Sequence, residues 1–425
     1  MKESVAKNIK GSSDRLPAEA AMRNRITNIL QRTFELYGYA PLETTMLNYL
    51  DLLTYKYDGG AEIVREIYKL RDQGDRDLGL RFDLTVPFCK VVAMNRNLKM
   101  PFKRYEIGKV FRNGPVKSGR AREFYQCDVD CVGVSGVHIE AELICIAVKG
   151  FQKLGIEPVV KYGNRKLLSS IIESAGIAKD KTDTAIGIVD KMAKVTQAEL
   201  IAELTKITTE QSAKKLISLL EESMKSPKDG KNSPSLEGVD AVGGRGSFTK
   251  PDDIVALEAA LCELGISQYC EFAPYLARGL NIYTGTVWEV FDKQQRITSS
   301  LGGGGRYDNI ITNFIGDGRT YPAVGIGFGL EPIMAVLGGE QKQNLVDVLV
   351  IPMGTENQCQ KFADKLRARG QRVLVYHGGG KVTKGFEYAN AENIPYVTVI
   401  GEDEIKLGFV SMKNMATGNA EKIVL

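Results

Sequence analysis

The chain has 425 residues, 43% apolar and 25% charged, with a net charge of +4. That is the profile of a globular protein long enough for two or three domains. No run of about eighteen apolar residues occurs, and Met1–Lys7 lacks the apolar stretch of a secretory leader, so no membrane span is expected and the expected location is the cytoplasm. Seven cysteines are scattered without a Cys-x-x-Cys pair, and His138 and His377 are the only histidines. These counts argue against a disulfide framework, a protein-held metal and a histidine-based triad, so chemistry has to rest on other groups.

In chain order, apolar residues at Met22, Ile26, Ile29, Leu30, Phe34 and Tyr37 predict a helix over 18–37, ended by Gly38, with an extended segment from Pro41. Short strands are expected from Leu78 onward. The clearest are 102–112 and 122–134, joined by a polar loop rich in turn formers into a long antiparallel hairpin. A helix over 139–154 and a strand over 159–162 follow. Residues 166–255 are rich in Lys, Glu and Ala and predict an inserted helical subdomain, with helices over 197–204 and 210–224 and a loop-like stretch after them. Strands return at 284–291, then come the Gly302–Gly305 run, a strand over 323–328 and a helix from about Leu330. Beyond Gly339 strands are expected at 346–352, 372–376 and 396–400, alternating with helices at 358–369 and 384–391. That alternation predicts a small α/β domain with a largely parallel sheet.

Strand alternation over 122–132 puts Phe124, Gln126, Asp128 and Asp130 on one face, and Tyr125, Cys127, Val129 and Cys131 on the other, apolar one. Arg104, Glu106 and Arg112 share a face of the first hairpin strand. From Lys103 to Arg122 there are seven cations and one acid, Glu106. Taken singly, a polar strand face is most often solvent-facing and a glycine run most often a turn. Taken together, acids and an amide beside arginines at a loop mouth suit a site holding both an anionic phosphate and a cationic amino group. Arg112, Arg120 and Arg122 carry the forked donors that grip a polyphosphate.

Phe111-Arg112, the loop after them and the stretch Arg120-Ala121-Arg122-Glu123-Phe124-Tyr125-Gln126-Cys127-Asp128-Val129-Asp130 resemble the second motif of class II aminoacyl-tRNA synthetases, and more narrowly that of histidyl-tRNA synthetases. Residues 80–87 resemble that family's histidine-binding strand, 277–289 its first specific motif and 303–308, Gly-Gly-Gly-Arg-Tyr-Asp, its second. The glycine-rich stretch 322–333 stands where motif three belongs, and the resemblance runs nearly end to end.

The resemblance implies an α+β catalytic domain with an antiparallel sheet (1–165 and 256–338), a helical insertion (166–255) and a C-terminal anticodon-binding α/β domain (344–425). It implies histidine binding by Asp83, Leu84, Thr85, Arg112, Gln126, Asp130, Arg278, Ile282 and Tyr283, with Asp130 and Tyr283 at the imidazole nitrogens. It implies ATP binding by Arg112, Arg120 and Arg278, with Arg112 and Arg278 acting at the α-phosphate and Mg²⁺ accompanying the pyrophosphate moiety. The implied partners are L-histidine, ATP and tRNA(His), and the implied assembly is a homodimer.

Three departures stand out. Gly114 replaces an acid that often meets adenine, Asn281-Ile282 replaces Asp-Tyr, and Pro332 replaces the motif-three arginine that holds the ATP tail. A second reading follows from them, a non-catalytic paralogue serving as the regulatory subunit of ATP phosphoribosyltransferase. That family generally lacks the C-terminal α/β domain.

Overall fold

The computed structural model describes residues 6–55, 62–116, 121–192, 195–224, 250–277, 282–338, 345–379 and 381–425. They form two compact units, residues 1–14 with 25–337 and residues 15–24 with 338–425.

The larger unit is built on an eight-stranded sheet. Its order is Ala40–Pro41, Phe102–Phe111, Glu123–Val132, Ala323–Gly329, Gly302–Arg306, Thr286–Asp292, Pro158–Asn164 and Cys270–Phe272. The six central strands are antiparallel, as expected, and the two short outer strands pair in parallel. Period-two alternation gives each central strand two unlike faces. On one face, Phe34 of the helix Pro17–Leu36 and Phe151 of the helix His138–Lys153 each lie 5.5 Å, centroid to centroid, from the ring of Phe328. Phe34 also meets Tyr105 at 5.7 Å. Cys127 and Cys131 are buried thiols, consistent with their expected apolar packing. The opposite face is polar and rich in glycine.

Two expectations change. The Gly302–Gly305 run is no turn; Gly302–Arg306 is a fully buried strand between two others. A Cβ at Gly302 would lie 2.8 Å from the Gly327 carbonyl oxygen, so bare backbone is what lets these strands approach. The stretch 80–87, expected as a strand, is a strand only to Leu80; Thr85–Met94 is a helix. Asp83 Oδ1 accepts the Val86 N–H at 2.9 Å, meeting one of the donors that a helix start leaves free.

Helices Arg165–Ser174, Thr182–Val189, Gln197–Thr205 and Glu210–Met224 share a core of their own, including Leu168, Ile171, Leu204 and Leu216. The smaller unit holds a five-stranded sheet, ordered Val373–Val375, Val348–Pro352, Tyr396–Ile400, Phe409–Asn414 and Ala420–Val424. Its first three strands are parallel, as expected; the last two, which the sequence reading did not anticipate, are antiparallel.

Candidate active site

The polar face is set by register. Across the hairpin, Arg104 stands opposite Asp130, Glu106 opposite Asp128 and Gly108 opposite Gln126. On the other side of the same strand, Gly325, Gly327 and Gly329 stand opposite Asp130, Asp128 and Gln126. A Cβ at Gly325 would fall inside the Asp130 carboxylate, and one at Gly327 would lie 2.7 Å from Asp128 Oδ1. The glycines therefore make room for the acids.

Two guanidinium groups run through this face. Arg104, fully buried, reaches Asp130 Oδ2 at 2.7 Å, donates to the Leu84 carbonyl at 3.2 Å and lies over the Phe88 ring. Arg81 Nη1 meets Glu106 Oε1 at 2.7 Å and donates to the Thr44 carbonyl at 2.9 Å. Glu106 also accepts from the Thr44 N–H and hydroxyl. Tyr307 donates its hydroxyl to Asp130 Oδ1.

Burial dominates the titration. It pushes Asp128 well above the usual carboxylate range, with the charge of Asp130 adding to it and Arg104 opposing. Burial also raises Asp130, while Arg104 and the Tyr307 hydroxyl pull it down. Glu106 and Asp128 are like charges directly opposite on paired strands, an arrangement that strands avoid unless one group is neutral. Burial and the acids around it both work against the charged form of Asp128.

Several matches bear on identity. The family described as histidyl-tRNA synthetase matches residues 11–333, and the anticodon binding domain family matches 347–425. A curated relative, histidine–tRNA ligase 1 of Bacillus cereus, is 46% identical over 99% of this chain and 95% of its own length. The crystal structure of histidyl-tRNA synthetase from Nostoc shares 26% identity at a TM-score of 0.80, covering 99% of this chain and 97% of that one. A structure from Bacillus halodurans, titled ATP phosphoribosyltransferase regulatory subunit/histidyl-tRNA synthetase, shares the fold at 19% identity and TM-score 0.70, over 93% and 98% of the two chains.

The chain belongs to the histidyl-tRNA synthetase family. The regulatory reading has no better support: the match at 46% over the whole length is to a ligase, and the C-terminal domain is present.

Among the described residues, those that this family resemblance singled out fall into three groups. Gln126 and Asp130 lie together on the polar face, with Asp83, Leu84 and Thr85 at the helix start beside it; the Leu84 side chain is wholly buried and its carbonyl takes Arg104. Arg112 stands at the hairpin mouth, its Nε on the Phe82 carbonyl at 3.0 Å and its guanidinium 5.0 Å from the Phe124 ring. Tyr283 is half-buried against Gly305, where a Cβ would meet its ring, and Ile282 is packed into the core with Phe88 and Tyr307. Arg120 and Arg278 lie outside the described residues.

Arg122, which the sequence also offered for phosphate, donates from Nε to the Gly114 carbonyl at 3.1 Å. Arg306 is a brace: it reaches Glu140 at 2.6 Å and the carbonyls of Gly136 and Val134 at 2.9 and 3.2 Å. Pro332 sits in the first turn of the helix Leu330–Leu337, where proline is tolerated. Its neighbour Glu331 accepts the Tyr125 N–H at 3.3 Å.

The sequence reading gave no role to Arg81, Arg104, Glu106 or Tyr307. The alternation that put Arg104 and Glu106 on one face was the available signal, but the register pairing Arg104 with Asp130 was not.

Proposed function

We propose the following course for the reaction of this histidine–tRNA ligase. Histidine lies on the polar, glycine-backed face, with Asp83 and Thr85 toward its ammonium and Gln126 and Arg278 toward its carboxylate. Asp130 and Tyr283 receive the imidazole, and Leu84 and Ile282 close the apolar side of the pocket. Asp130 keeps acceptor capacity after taking Arg104 and Tyr307, since a carboxylate has about four lone-pair sites. A pocket that pairs each polar atom of its substrate strongly rejects analogues lacking one.

ATP lies across the hairpin mouth on Arg112, Arg120 and Arg278, and Mg²⁺ enters with the triphosphate as its counter-ion. The histidine carboxylate attacks the α-phosphorus, the bond to the bridging oxygen breaks, and pyrophosphate leaves. Negative charge grows on the phosphoryl oxygens, where Arg112 and Arg278 stabilise it. The tRNA 3′-terminal hydroxyl then takes the histidyl group from AMP, while residues 344–425 read tRNA(His). Family resemblance supports a homodimer working in the cytoplasm. Among the described residues no helix is long and apolar enough to cross a membrane.

The observation that carries this reading is the 46% identity to a histidine–tRNA ligase over nearly the whole chain. The test is histidine-dependent ATP–pyrophosphate exchange, run on the full chain and on a chain ending at Gly338. Exchange is expected from both and tRNA(His) charging only from the full chain. An absence of exchange by the full chain at saturating ATP and histidine would return the protein to the regulatory reading.

A further inference from the structure

The buried polar face carries more negative than positive charge. Asp83, Glu106, Asp128 and Asp130 are all buried, and so are two guanidinium groups, Arg81 and Arg104. Arg81 is taken by Glu106, and Arg104 lies between Asp130 at 2.7 Å and Glu106 at 3.7 Å. Asp83 caps the following helix. Among the described residues Asp128 has no cation within ion-pairing distance, and its polar contact with Gln126 is a long one, 3.5 Å from Nε2 to Oδ1. Beside it, Gln126 Oε1 is buried with no hydrogen-bond partner among the described residues.

A buried carboxyl facing other acids costs several kcal/mol if ionised and alone. Asp128 is nevertheless kept on the face it shares with Gln126 and Asp130, and Gly327 opposite leaves space for it. An orphaned acceptor and an uncompensated acid side by side describe a pocket awaiting a cationic donor. The α-ammonium of histidine has that chemistry: one positive charge and three N–H donors.

We propose that Asp128 is a further specificity residue, which receives the α-ammonium of histidine and gives up its proton as the ammonium arrives. The inference rests on the histidine-activating reading of this face. The step balances simply. The protonated carboxyl releases one proton to solvent, the carboxylate pairs with the ammonium, and the substrate amine keeps all its protons.

The groups facing Asp128 set the pH behaviour. Asp130 lies on its own strand, Glu106 and Arg104 on the paired strand, and Asp83 at the helix start, while the strand Ala323–Gly329 presents Gly327 opposite it. Arg104 is the one cation among these described groups, and its Nη2 is paired with Asp130 Oδ2.

The experiment is calorimetric binding of three probes to the full chain and to Asp128→Asn, in buffers of differing ionisation enthalpy. The probes are histidine, histidinol (ammonium without carboxylate) and 3-(imidazol-4-yl)propionate (carboxylate without ammonium). Loss of a charge-assisted contact should weaken histidine and histidinol by about ten- to a hundredfold and leave imidazolepropionate unchanged. The full chain should release a proton with the two ammonium ligands and Asp128→Asn should not. Unchanged imidazolepropionate binding also shows that the variant pocket is folded. Equal weakening of all three probes would make Asp128 a structural group, and selective weakening of imidazolepropionate would place it elsewhere on the substrate; either result overturns the inference. Failure of the full chain to bind histidine would instead overturn the substrate reading beneath it.

Discussion

On the helix-covered face of the large sheet, Tyr105 and Phe328 pack against Phe34 and Phe151, with Cys127 and Val129 buried on the same strands. On the other face those strands carry Arg104, Glu106, Asp128 and Asp130 beside glycines. The two faces share one backbone and are buried to similar depth, yet they tolerate change differently. The apolar face is held by non-directional packing, so a truncation there costs stability in proportion to the volume removed. On the polar face each charged group depends on one or two named partners, so removing a partner strands the other.

Arg104→Met should expose that difference most strongly. It removes the cation paired with Asp130 and leaves a buried carboxylate without that partner, an expected loss of about 3–5 kcal/mol. Without Arg104, the Asp130 carboxyl rises further above its unfolded value. The loss is therefore full above the raised folded pKa and disappears toward pH ~4, where the unfolded carboxyl also protonates. Denaturant unfolding at several pH values measures it. A loss that does not change with pH would mean that Arg104 acts through packing on Phe88 alone.

How far the two faces were legible in the sequence follows from the same contrast. Alternation of Tyr125, Cys127 and Val129 with Gln126, Asp128 and Asp130 displayed both faces, because period two survives wherever side chains differ in polarity. It failed at Gly302–Arg306, where four residues without side chains leave no pattern to read, although the strand is as buried as any. It failed again at Thr85–Met94, an apolar run that periodicity cannot divide between strand and helix; the informative residue was Asp83, three before the N–H it caps. The partners of Asp130 were hidden for another reason. Arg104 meets it through hairpin register, and Tyr307, between the strand Gly302–Arg306 and the next helix, comes from more than a hundred residues away in sequence.

Gly325→Ala asks whether the glycines serve the acids or only the sheet. The new Cβ falls inside the Asp130 carboxylate, so Asp130 has to shift, with an overpacking cost of about 1–3 kcal/mol. A displacement of this size at a binding group costs on the order of a hundredfold in turnover, and histidine-dependent pyrophosphate exchange should fall accordingly. Val129→Ala, one residue from Asp130 but facing the helices, should lose stability while the exchange rate in the folded fraction stays unchanged. Equal loss of exchange in the two variants would remove the distinction between the faces.

Tyr307→Phe is the smallest change and the finest probe. It deletes one oxygen and keeps the ring in its core with Phe88, Ile310 and Ile311. The hydroxyl donates to Asp130 and holds that carboxyl lower than burial alone would set it. A hydrogen bond to a charged group contributes about 1.5–3 kcal/mol, so a loss at the lower end is expected where Asp130 is ionised. The sign follows from the direction of the shift. Asp130 titrates above its unfolded value, so its protonation favours the fold in acid, and that contribution fades as pH rises through the folded pKa. Removing the hydroxyl moves the folded pKa higher still. The variant should therefore match the parent near pH ~4 and fall behind it progressively toward neutrality. A core substitution on the helix-covered face has no titrating partner and should show a constant difference. If Tyr307→Phe also gives a constant difference, the hydroxyl does not hold the Asp130 charge, and the polar face is tuned by Arg104 alone.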